Sequence, residues 1–193
     1  MDTTHIFIIS GPAGSGKDSI IECLGKNLPL ERFITTTTRA KRPGESEGNP
    51  YYFVSQKTFD SSIQQGAFIE HSINENGASY GISATELHRV TQKKDCFGIW
   101  QTDWKGVQSI KKIFPGIPAI FISAPLNILE ERIRSRDTTK DESYFLERMS
   151  YTKEWLKYID IYDYVVTNEQ GKLAQAVADV EQILRNHTEV SSL

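Results

Sequence analysis

Short apolar runs without alternation recur along the chain. The first occupies residues 5–10, and similar runs occupy residues 96–100, 117–122 and 162–167. A strand that is buried on both faces has this pattern, because neither face needs polar side chains. The runs therefore predict strands of a parallel sheet that helices cover on both sides.

Helical periodicity separates these runs. Residues 17–27 are predicted to form a helix soon after the first run. Further apolar residues recur every three or four positions, as expected for one face of a helix. Strands that alternate with helices predict an α/β fold with a central parallel sheet. The periodic positions are Val107, Ile110 and Phe114, then Leu126, Leu129 and Ile133, and finally Leu173, Val177, Val180 and Leu184.

Two stretches interrupt the alternation. Residues 33–70 are rich in Thr, Arg, Gly and Tyr, and residues 134–158 are strongly charged with a helical pattern. The chain of 193 residues has the length of one domain. We therefore predict a single domain, residues 1–193, in which these two stretches are insertions. The predicted core segments are about 1–32, 83–133 and 159–193.

The composition narrows the class of partner. The net charge of −3 provides no overall basic field, so we expect no nucleic-acid partner. No apolar run reaches membrane-spanning length, so we expect no membrane partner. Two cysteines in apolar stretches favour a reducing compartment, and the first residues do not resemble a secretory signal. We therefore expect a cytoplasmic protein.

A glycine-rich segment lies between the first predicted strand and the first predicted helix. Gly11–Lys17 has the pattern G-x-x-x-x-G-K. Glycines let backbone N–H groups converge on one point, and the helix N-terminus adds partial positive charge. Lys17 supplies a full charge for the β- and γ-phosphates of a nucleotide. A glycine turn without a ligand is the weaker interpretation, because the spacing, the lysine and both flanking elements favour a phosphate site.

The residue after this lysine is unusual. The motif normally has Ser or Thr there, as a neutral ligand to Mg²⁺, whereas this chain has Asp18. A carboxylate is a good ligand for Mg²⁺, so we predict that Asp18 binds this ion. With this loop, the alternating strands and helices resemble the three-layer fold of P-loop NTPases, which implies ATP as the ligand. The predicted ATP-binding residues here are Gly11, Pro12, Ala13, Gly14, Ser15, Gly16, Lys17, Asp18 and Ser19.

Arginines and tyrosines are concentrated in residues 35–54. Arg39 and Arg42 are three positions apart, and two forked guanidinium groups at this spacing can converge on one phosphate. Tyr51 can add a hydroxyl to the same group. The block predicts a second anion site, with a solvated basic loop as the alternative.

The same block follows the pattern T-T-R-x-x-R-x-G-E-x-x-G-x-x-Y-x-F-V and resembles the acceptor-binding region of guanylate kinases. The glycine-rich loop, Phe68–Glu70, Tyr80–Gly81 and Asp103 also fall in the family's order, so the resemblance covers nearly the whole chain. It implies ATP-dependent phosphorylation of GMP and dGMP with Mg²⁺. It also implies an acceptor-binding insertion at 33–82, a helical lid at 134–158, small-molecule nucleotide partners and a monomer or homodimer.

By this resemblance, seven residues form the acceptor site. Four are implied to hold the GMP phosphate and three to read the guanine base. Guanine N1–H and its 2-amino group are donors, so buried carboxylates would pair with guanine and remain unpaired with adenine. Carboxylates on the surface are the alternative. The phosphate-binding residues are Arg39, Arg42, Tyr51 and Tyr80, and the guanine-reading residues are Thr35, Glu70 and Asp103.

Arginines cluster around the predicted lid. Phosphoryl transfer depends on positioning and on neutralisation of the migrating charge. The resemblance implies that Arg136 and Arg148 act with Lys17 in catalysis, and that Arg132 and Asn168 lie near ATP. The alternative is arginines on a helix surface that pair with neighbouring acidic residues.

Two positions depart from the family's pattern. Ile82 stands where the family has a serine that helps to hold the base, and Gln101 stands where it has an acidic residue near the metal. One carboxylate is lost at Gln101 and one is gained at Asp18. We therefore hypothesise that the carboxylate serving Mg²⁺ has moved to the phosphate loop.

Two other functions are kept as alternatives. The Gly-Lys-Asp-Ser order of residues 16–19 also resembles ribose 1,5-bisphosphate kinases, which explains Asp18 but not the block at 35–54. Guanylate-kinase-like domains also include protein-binding modules without catalysis, which usually lack a working phosphate loop. Lys17 and the loop glycines are present here, which favours an enzyme.

Overall fold

The computed structural model describes residues 2–42, 44–73 and 77–190, with side chains as far as residue 188. The strands are β1 Ile6–Ser10, β2 Leu30–Arg32, β3 Thr35–Thr37, β4 Ser46–Glu47, β5 Pro50–Phe53, β6 Phe68–Ile73, β7 Ser79–Ser83, β8 Phe97–Gln101, β9 Ala119–Ser123 and β10 Tyr164–Thr167. The helices are α1 Lys17–Asn27, α2 Gln56–Gln64, α3 Ala84–Thr91, α4 Trp104–Ile113, α5 Leu126–Arg136, α6 Glu142–Leu156 and α7 Leu173–Val190, with a 3-10 turn at Ile159–Ile161.

Five parallel strands form a central sheet in the order β10-β9-β1-β8-β2. β1 lies in the middle, and all five of its residues are buried. This burial on both faces is the reason why the strand has no polar alternation. The predicted central parallel sheet is confirmed. The sequence does not predict β2, because three residues are too few for a periodic pattern.

Helices cover both faces of this sheet. On one face, Phe7 of β1 packs in a cluster with Leu24 of α1 and Val180 of α7. On the other face, Ile6 and Ile8 of β1 belong to a cluster with Val107 of α4. Successive side chains of a strand point to opposite faces, so one strand supplies both clusters. The result is a three-layer α/β fold with a continuous apolar core on each side.

A second, mixed sheet is built from strands within residues 35–83, in the order β4-β5-β3-β7-β6. β3 runs parallel to β5 and antiparallel to β7, and β6 runs antiparallel to β7. α2 covers one face, where Phe59 stacks on Phe68 at a centroid distance of 4.5 Å. The opposite face carries side chains that line a cavity shared with the central sheet.

α5 and α6 complete the fold beside this cavity. α5 packs closely on the glycine-rich loop, since a Cβ on Gly14 would lie 2.9 Å from the Leu129 carbonyl oxygen. α6 is anchored near its C-terminal end by Trp155, which is buried and lies 6.3 Å from the Phe121 ring of β9. Within the described ranges, no helix combines the length and apolar character needed to cross a membrane.

Candidate active site

One cavity of about 480 Å³ lies where the two sheets and the α5–α6 pair meet. It opens at the carboxyl ends of β1 and β8, the edge at which α/β folds bind ligands. The phosphate loop and the second predicted anion site therefore face a common space. The predicted site residues that line it are Gly11, Ala13, Gly14, Gly16, Lys17, Asp18, Ser19, Thr35, Arg42, Tyr51, Glu70, Tyr80, Asp103, Arg132, Arg136 and Arg148.

The glycine-rich loop connects β1 to α1. Gly14 and Gly16 have φ angles of 80° and 84°, which residues with a Cβ rarely adopt. A Cβ on Gly16 would also lie 2.3 Å from the Asn168 side-chain nitrogen, so glycine is required there. α1 begins at this point without a side-chain cap, which leaves its first N–H groups available to an anion.

Two side chains hold this loop in place. Asn168, which follows β10, donates from Nδ2 to the Ser15 carbonyl at 2.8 Å. Arg132 of α5 donates to the carbonyls of Gly14 and Asn168, both at 3.2 Å. Arg132 also lines the cavity, whereas Asn168 is buried beside the loop. The position of Asn168 near ATP stays a prediction.

Lys17 is the first residue of α1, and its side chain lines the cavity. Burial lowers the pKa of its ammonium group, and the positive charges of Arg136 and Arg148 lower it further, against the effect of Asp18. These charged groups are therefore close enough to interact. Lys17, Arg136 and Arg148 all line the cavity, so their positive charges would stabilise phosphate groups bound there.

Asp18 belongs to a hydrogen-bonded chain of three side chains that the sequence does not predict. Arg32, at the end of β2, donates to Gln101 Oε1 at 2.6 Å, and Gln101 Nε2 donates to Asp18 Oδ1 at 2.9 Å. Arg32 Nη2 also lies 3.9 Å from Asp18 Oδ1. Desolvation opposes ionisation of Asp18, but Lys17 and this chain bring the pKa of its carboxyl below the ordinary value.

The Asp18 carboxylate fits a divalent cation. Its side chain is 71% exposed within the cleft, and one of its oxygens is oriented by Gln101. Ionised carboxylate oxygens are hard ligands that suit Mg²⁺. In the part of the chain that the structure describes, no three His, Cys, Asp or Glu side chains form a metal-binding group. A cation at Asp18 would therefore take further ligands from phosphate oxygens or water.

The acceptor side is one face of the second sheet. Thr35 of β3 is opposite Tyr51 of β5, and Glu70 of β6 is opposite Ile82 of β7. Tyr80 lies two residues before Ile82, so it points to the same face. Four strands thus contribute side chains to one surface, which we call the acceptor wall. The acceptor wall consists of Thr35, Tyr51, Glu70, Ser72, Tyr80 and Ile82.

Two carboxylates approach each other at one end of the acceptor wall. Glu70 is 6% exposed, and burial, together with the charge of Asp103, raises the pKa of its carboxyl to about 8. Asp103 caps α4 by accepting from the Gly106 N–H at 2.8 Å. A Cβ on Gly106 would lie 2.8 Å from Glu70 Oε1, so the start of α4 packs directly on Glu70. The structure therefore brings these two predicted residues together.

Arg39 and Arg42 lie beyond Tyr51, at the other end of the acceptor wall. Arg39 donates to both carboxylate oxygens of Glu45, at 2.7 and 3.0 Å, and its guanidinium lies 5.2 Å from the Tyr51 ring centroid. The backbone N–H of Arg42 donates to Glu45 at 2.7 Å, while the Arg42 side chain lines the cavity. Glu45 therefore fixes the segment that carries both arginines.

Arg136 and Arg148 reach the cavity from α5 and α6. Arg136 pairs with Asp137 at 2.8 Å, and the Tyr144 hydroxyl donates to the same carboxylate at 2.9 Å. Arg148 donates to the Tyr144 hydroxyl at 3.3 Å. Both cations are thus positioned by polar neighbours inside the cavity. Arg134, by contrast, pairs with acidic residues of α5 and α6 and does not line the cavity.

The cavity also shows where sequence reasoning is incomplete. Ser72 had a usable signal, because it lies two residues after Glu70 on the same face of a strand. The other unpredicted lining residues carry no motif. They are Trp100, Thr102, Tyr151, Thr152 and Trp155. Gln101 and Ile82, the two positions that depart from the family's pattern, also line the cavity. The predicted site residues that lie beside the cavity without lining it are Pro12, Ser15, Arg39 and Asn168.

The fold and the site together define the class of protein. A parallel sheet whose central strand leads through a glycine-rich loop into a helix is the phosphate-binding core of P-loop proteins. This chain is therefore a P-loop protein of the α/β class, with an acceptor wall that faces the loop.

Comparison with known proteins places the chain more narrowly. The guanylate kinase family profile matches residues 3–187. A guanylate kinase of Haemophilus influenzae (strain 86-028NP) is 36% identical over 191 residues, covering 96% of this chain and 89% of the relative. One of Yersinia pestis bv. Antiqua (strain Antiqua) is 37% identical over 186 residues, covering 93% and 86%. The chain belongs to the guanylate kinase family.

The fold comparison agrees. The crystal structure of guanylate kinase from Anaplasma phagocytophilum superposes on this chain with a TM-score of 0.75 at 26% sequence identity. The superposition covers 95% of this chain and 85% of that chain. The likeness therefore extends over the central sheet, the second sheet and the helices between them.

Proposed function

We propose that this chain transfers the γ-phosphoryl group of ATP to the phosphate of GMP, which yields ADP and GDP. The observation that carries the proposal is the common cavity, in which the phosphate loop faces a wall with two carboxylates at one end. Membership of the guanylate kinase family supports the same reaction. We propose dGMP as a second acceptor, because the wall addresses the base and the phosphate rather than the 2′-hydroxyl.

The donor side supplies positive charge. The loop N–H groups and the Lys17 ammonium would hold the β- and γ-phosphates of ATP. Arg136 and Arg148, which interact with Lys17, would shield the charge that moves from donor to acceptor. No general base is required, because the attacking phosphate oxygen of GMP is already anionic.

Mg²⁺ is the metal we propose, with Asp18 as its ligand from the protein. When bound, the ion would neutralise charge on the phosphate oxygens. Gln101 holds one Asp18 oxygen at 2.9 Å, so the carboxylate is oriented without the ion. This contact also supports the hypothesis that Asp18 and Gln101 act as a pair.

The acceptor side would recognise GMP at both ends. Ionised carboxylates accept from guanine N1–H and the 2-amino group, for which adenine has no equivalent pair of donors. Since the pKa of Glu70 is about 8 without ligand, guanine binding near neutral pH would release a proton. The residues proposed for the phosphate are Arg39, Arg42, Tyr51 and Tyr80, and those for the base are Thr35, Glu70 and Asp103.

Ribose 1,5-bisphosphate is the competing acceptor. Asp18 is compatible with either acceptor. Glu70 and Asp103, however, suit a base with hydrogen-bond donors, and a second phosphate group would be repelled by the negative charge of Asp103, which also raises the pKa of Glu70. The acceptor wall therefore favours GMP.

A substrate panel tests the proposal. The purified chain is incubated with ATP, Mg²⁺ and one of GMP, dGMP, AMP, UMP or ribose 1,5-bisphosphate, and ADP release and product mass are recorded. We expect kcat/KM for GMP to exceed that for AMP and UMP by at least about 100-fold. Faster turnover of ribose 1,5-bisphosphate would replace the proposal by the competing kinase. A dissociation constant for ATP below the millimolar range would distinguish either kinase from a non-catalytic module. Light scattering distinguishes a monomer from a homodimer.

A further inference from the structure

Ser72 is a cavity-lining hydroxyl that the proposed reaction does not yet use. It lies in β6 two residues after Glu70, so both side chains point to the same face of the sheet. In the antiparallel ladder with β7, Glu70 is opposite Ile82 and Ser72 is opposite Tyr80. Gly81 lies between them on the other face, where a Cβ would meet the His71 side chain.

The acceptor wall lacks a donor directly opposite Glu70. Guanine presents the acceptors O6 and N7 in addition to its N1–H and 2-amino donors. The carboxylates of Glu70 and Asp103 accept hydrogen bonds when ionised, so they read the donors and leave O6 without a partner. Ile82, opposite Glu70, is 1% exposed and has no polar side-chain atom. An unpaired O6 in such a site would weaken binding.

Two hydroxyls flank Ile82 on the acceptor wall. Thr35 of β3 lies opposite Ile82 of β7. The antiparallel β3–β7 ladder pairs Thr36 with Gly81, so the residue before Thr36 faces the residue after Gly81. Ser72 lies diagonally from Ile82 on β6, a backbone separation of about 7–8 Å that side chains and a base can bridge. Neither hydroxyl makes a hydrogen bond to another residue within the described ranges. Both are therefore available to a ligand.

We propose that Ser72 is a further substrate-binding residue and that its hydroxyl donates to O6 of guanine. The proposal rests on the proposed function, since it concerns the acceptor of that reaction. Glu70 accepts from N1–H, and the neighbouring atom along the edge of the base is O6. Ser72, the next residue on the same face of the same strand, supplies the donor that O6 requires.

The test compares two substrates that differ at one atom. 6-Thioguanosine 5′-monophosphate keeps N1–H and the 2-amino group but replaces O6 by sulfur, a weak acceptor. Ser72→Ala is expected to lower kcat/KM for GMP about tenfold, mainly through KM, because one neutral hydrogen bond is lost. The same variant is expected to change kcat/KM for the thio analogue less than about twofold. Ser72→Thr keeps the hydroxyl and should restore the preference for GMP.

Controls separate this contact from folding and from the proposed function. Ser61→Ala removes a hydroxyl of α2 that donates to the Lys57 carbonyl, and it should leave both substrates unaffected. If Ser72→Ala proves unstable in urea, the isosteric pair Ser72→Thr and Ser72→Val gives the same comparison. Equal losses with both substrates, or no loss with GMP, would overturn the Ser72 proposal alone. A wild-type chain that binds ATP but does not phosphorylate GMP would overturn the proposed function and this inference with it.

Discussion

The donor and acceptor sides of the cavity are built in different ways. On the donor side, the loop backbone continues from the central strand β1 and is held by Arg132 and Asn168. On the acceptor side, the groups that face the cavity are side chains of a separate mixed sheet. There Arg39 is held by Glu45, six residues away in the same segment.

This difference divides two tasks between the regions. Backbone N–H groups and one lysine suit the phosphates of any nucleoside triphosphate, whereas carboxylates and hydroxyls on strands distinguish one base from another. Changes on the donor side should therefore lower kcat with every acceptor. Changes on the acceptor side should act mainly on KM, and differently for each acceptor.

The largest effect is expected at Lys17. Lys17→Met removes the full charge at the loop, so kcat should fall about 10³-fold with both GMP and dGMP. The Kd for GMP, measured by calorimetry without ATP, should change less than about threefold. Lys26→Met, at the exposed end of α1, is the control and should retain full activity. A large loss of GMP affinity in Lys17→Met would show that the two sides are not separate.

The next effect is expected at Glu70. Glu70→Gln replaces an acceptor by a group that also donates, so kcat/KM for GMP should fall about 100-fold. In wild type, KM for GMP should decrease as pH rises from 6.5 towards 8, because guanine favours the ionised carboxylate. The variant should lose this pH dependence. Glu22→Gln, on the exposed face of α1, should behave as wild type.

The same substitution should raise stability at high pH. The folded pKa of about 8 lies above the ordinary value of 4.5, so the folded protein prefers protonated Glu70 and loses stability as pH rises from 4.5 through 8. At pH 9, Glu70→Gln should therefore be more stable than wild type by on the order of 2–4 kcal/mol in urea unfolding. At pH 5 the two should differ little. An equal difference in the free energy of unfolding at pH 5 and at pH 9 would contradict a buried Glu70 carboxyl with a raised pKa.

The sequence predicts the donor side better than the acceptor side for a physical reason. A strand buried on both faces leaves an unbroken apolar run, and the predicted helix at 17–27 coincides with α1. The acceptor strands are short and half polar, and a bulge between Phe68 and Glu70 interrupts the alternation. Motifs identify single residues such as Arg39 there, but not which side chains share a face.

Contacts between distant segments are a second limit. Arg32, Gln101 and Asp18 come from three separate segments, and no spacing rule connects them. The position of Ser72 is easier to predict, because it follows Glu70 by two residues and side chains two apart on a strand share a face. Interactions along one strand can be predicted from the sequence, whereas interactions between strands require the sheet order.

The pair Asp18 and Gln101 should show an effect of intermediate size. Gln101→Asp places a second carboxylate against Asp18, and Asp18→Ser removes the carboxylate, so each should lower kcat about tenfold. Asp18→Ser should also raise the Mg²⁺ concentration for half activity, because a ligand is lost. The double variant restores one carboxylate and should return to within about threefold of wild type. If the loss of kcat in the double variant equals the product of the two single losses, the hypothesis that the carboxylate has moved is rejected.

A second Gln–Asp pair serves as the control for this double-mutant cycle. Gln175 donates to Asp179 at 2.8 Å on α7, outside the cavity. Gln175→Asp, Asp179→Ser and their combination should leave kcat and the Mg²⁺ requirement unchanged. Binding of Mn²⁺ with ATP, measured by electron paramagnetic resonance, provides a readout that does not depend on turnover.

A smaller effect is expected at Glu45. Glu45→Gln removes the charge that orients Arg39 and accepts from the Arg42 N–H, so KM for GMP should rise about fivefold with little change in kcat. KM for ATP should not change, because the donor side is independent. Glu47→Gln, an exposed neighbour in β4, is the control. A lower KM in Glu45→Gln would mean that Glu45 competes with the acceptor phosphate for Arg39.

The smallest effect is expected at Tyr162, which links the core to the start of the loop. Its hydroxyl donates to Ser10 Oγ at 3.0 Å, and Ser10 donates to the Thr102 carbonyl at 2.7 Å. Tyr162→Phe removes the first bond and leaves the second, so the free energy of unfolding should fall by about 1 kcal/mol while kcat stays within twofold. Tyr52→Phe, on the exposed side of β5, controls for the loss of a hydroxyl. Because the loop is fixed by backbone and by several side chains, one buried hydroxyl should not move it. A tenfold loss of kcat in Tyr162→Phe would show that the donor side depends on single side chains, as the acceptor side does.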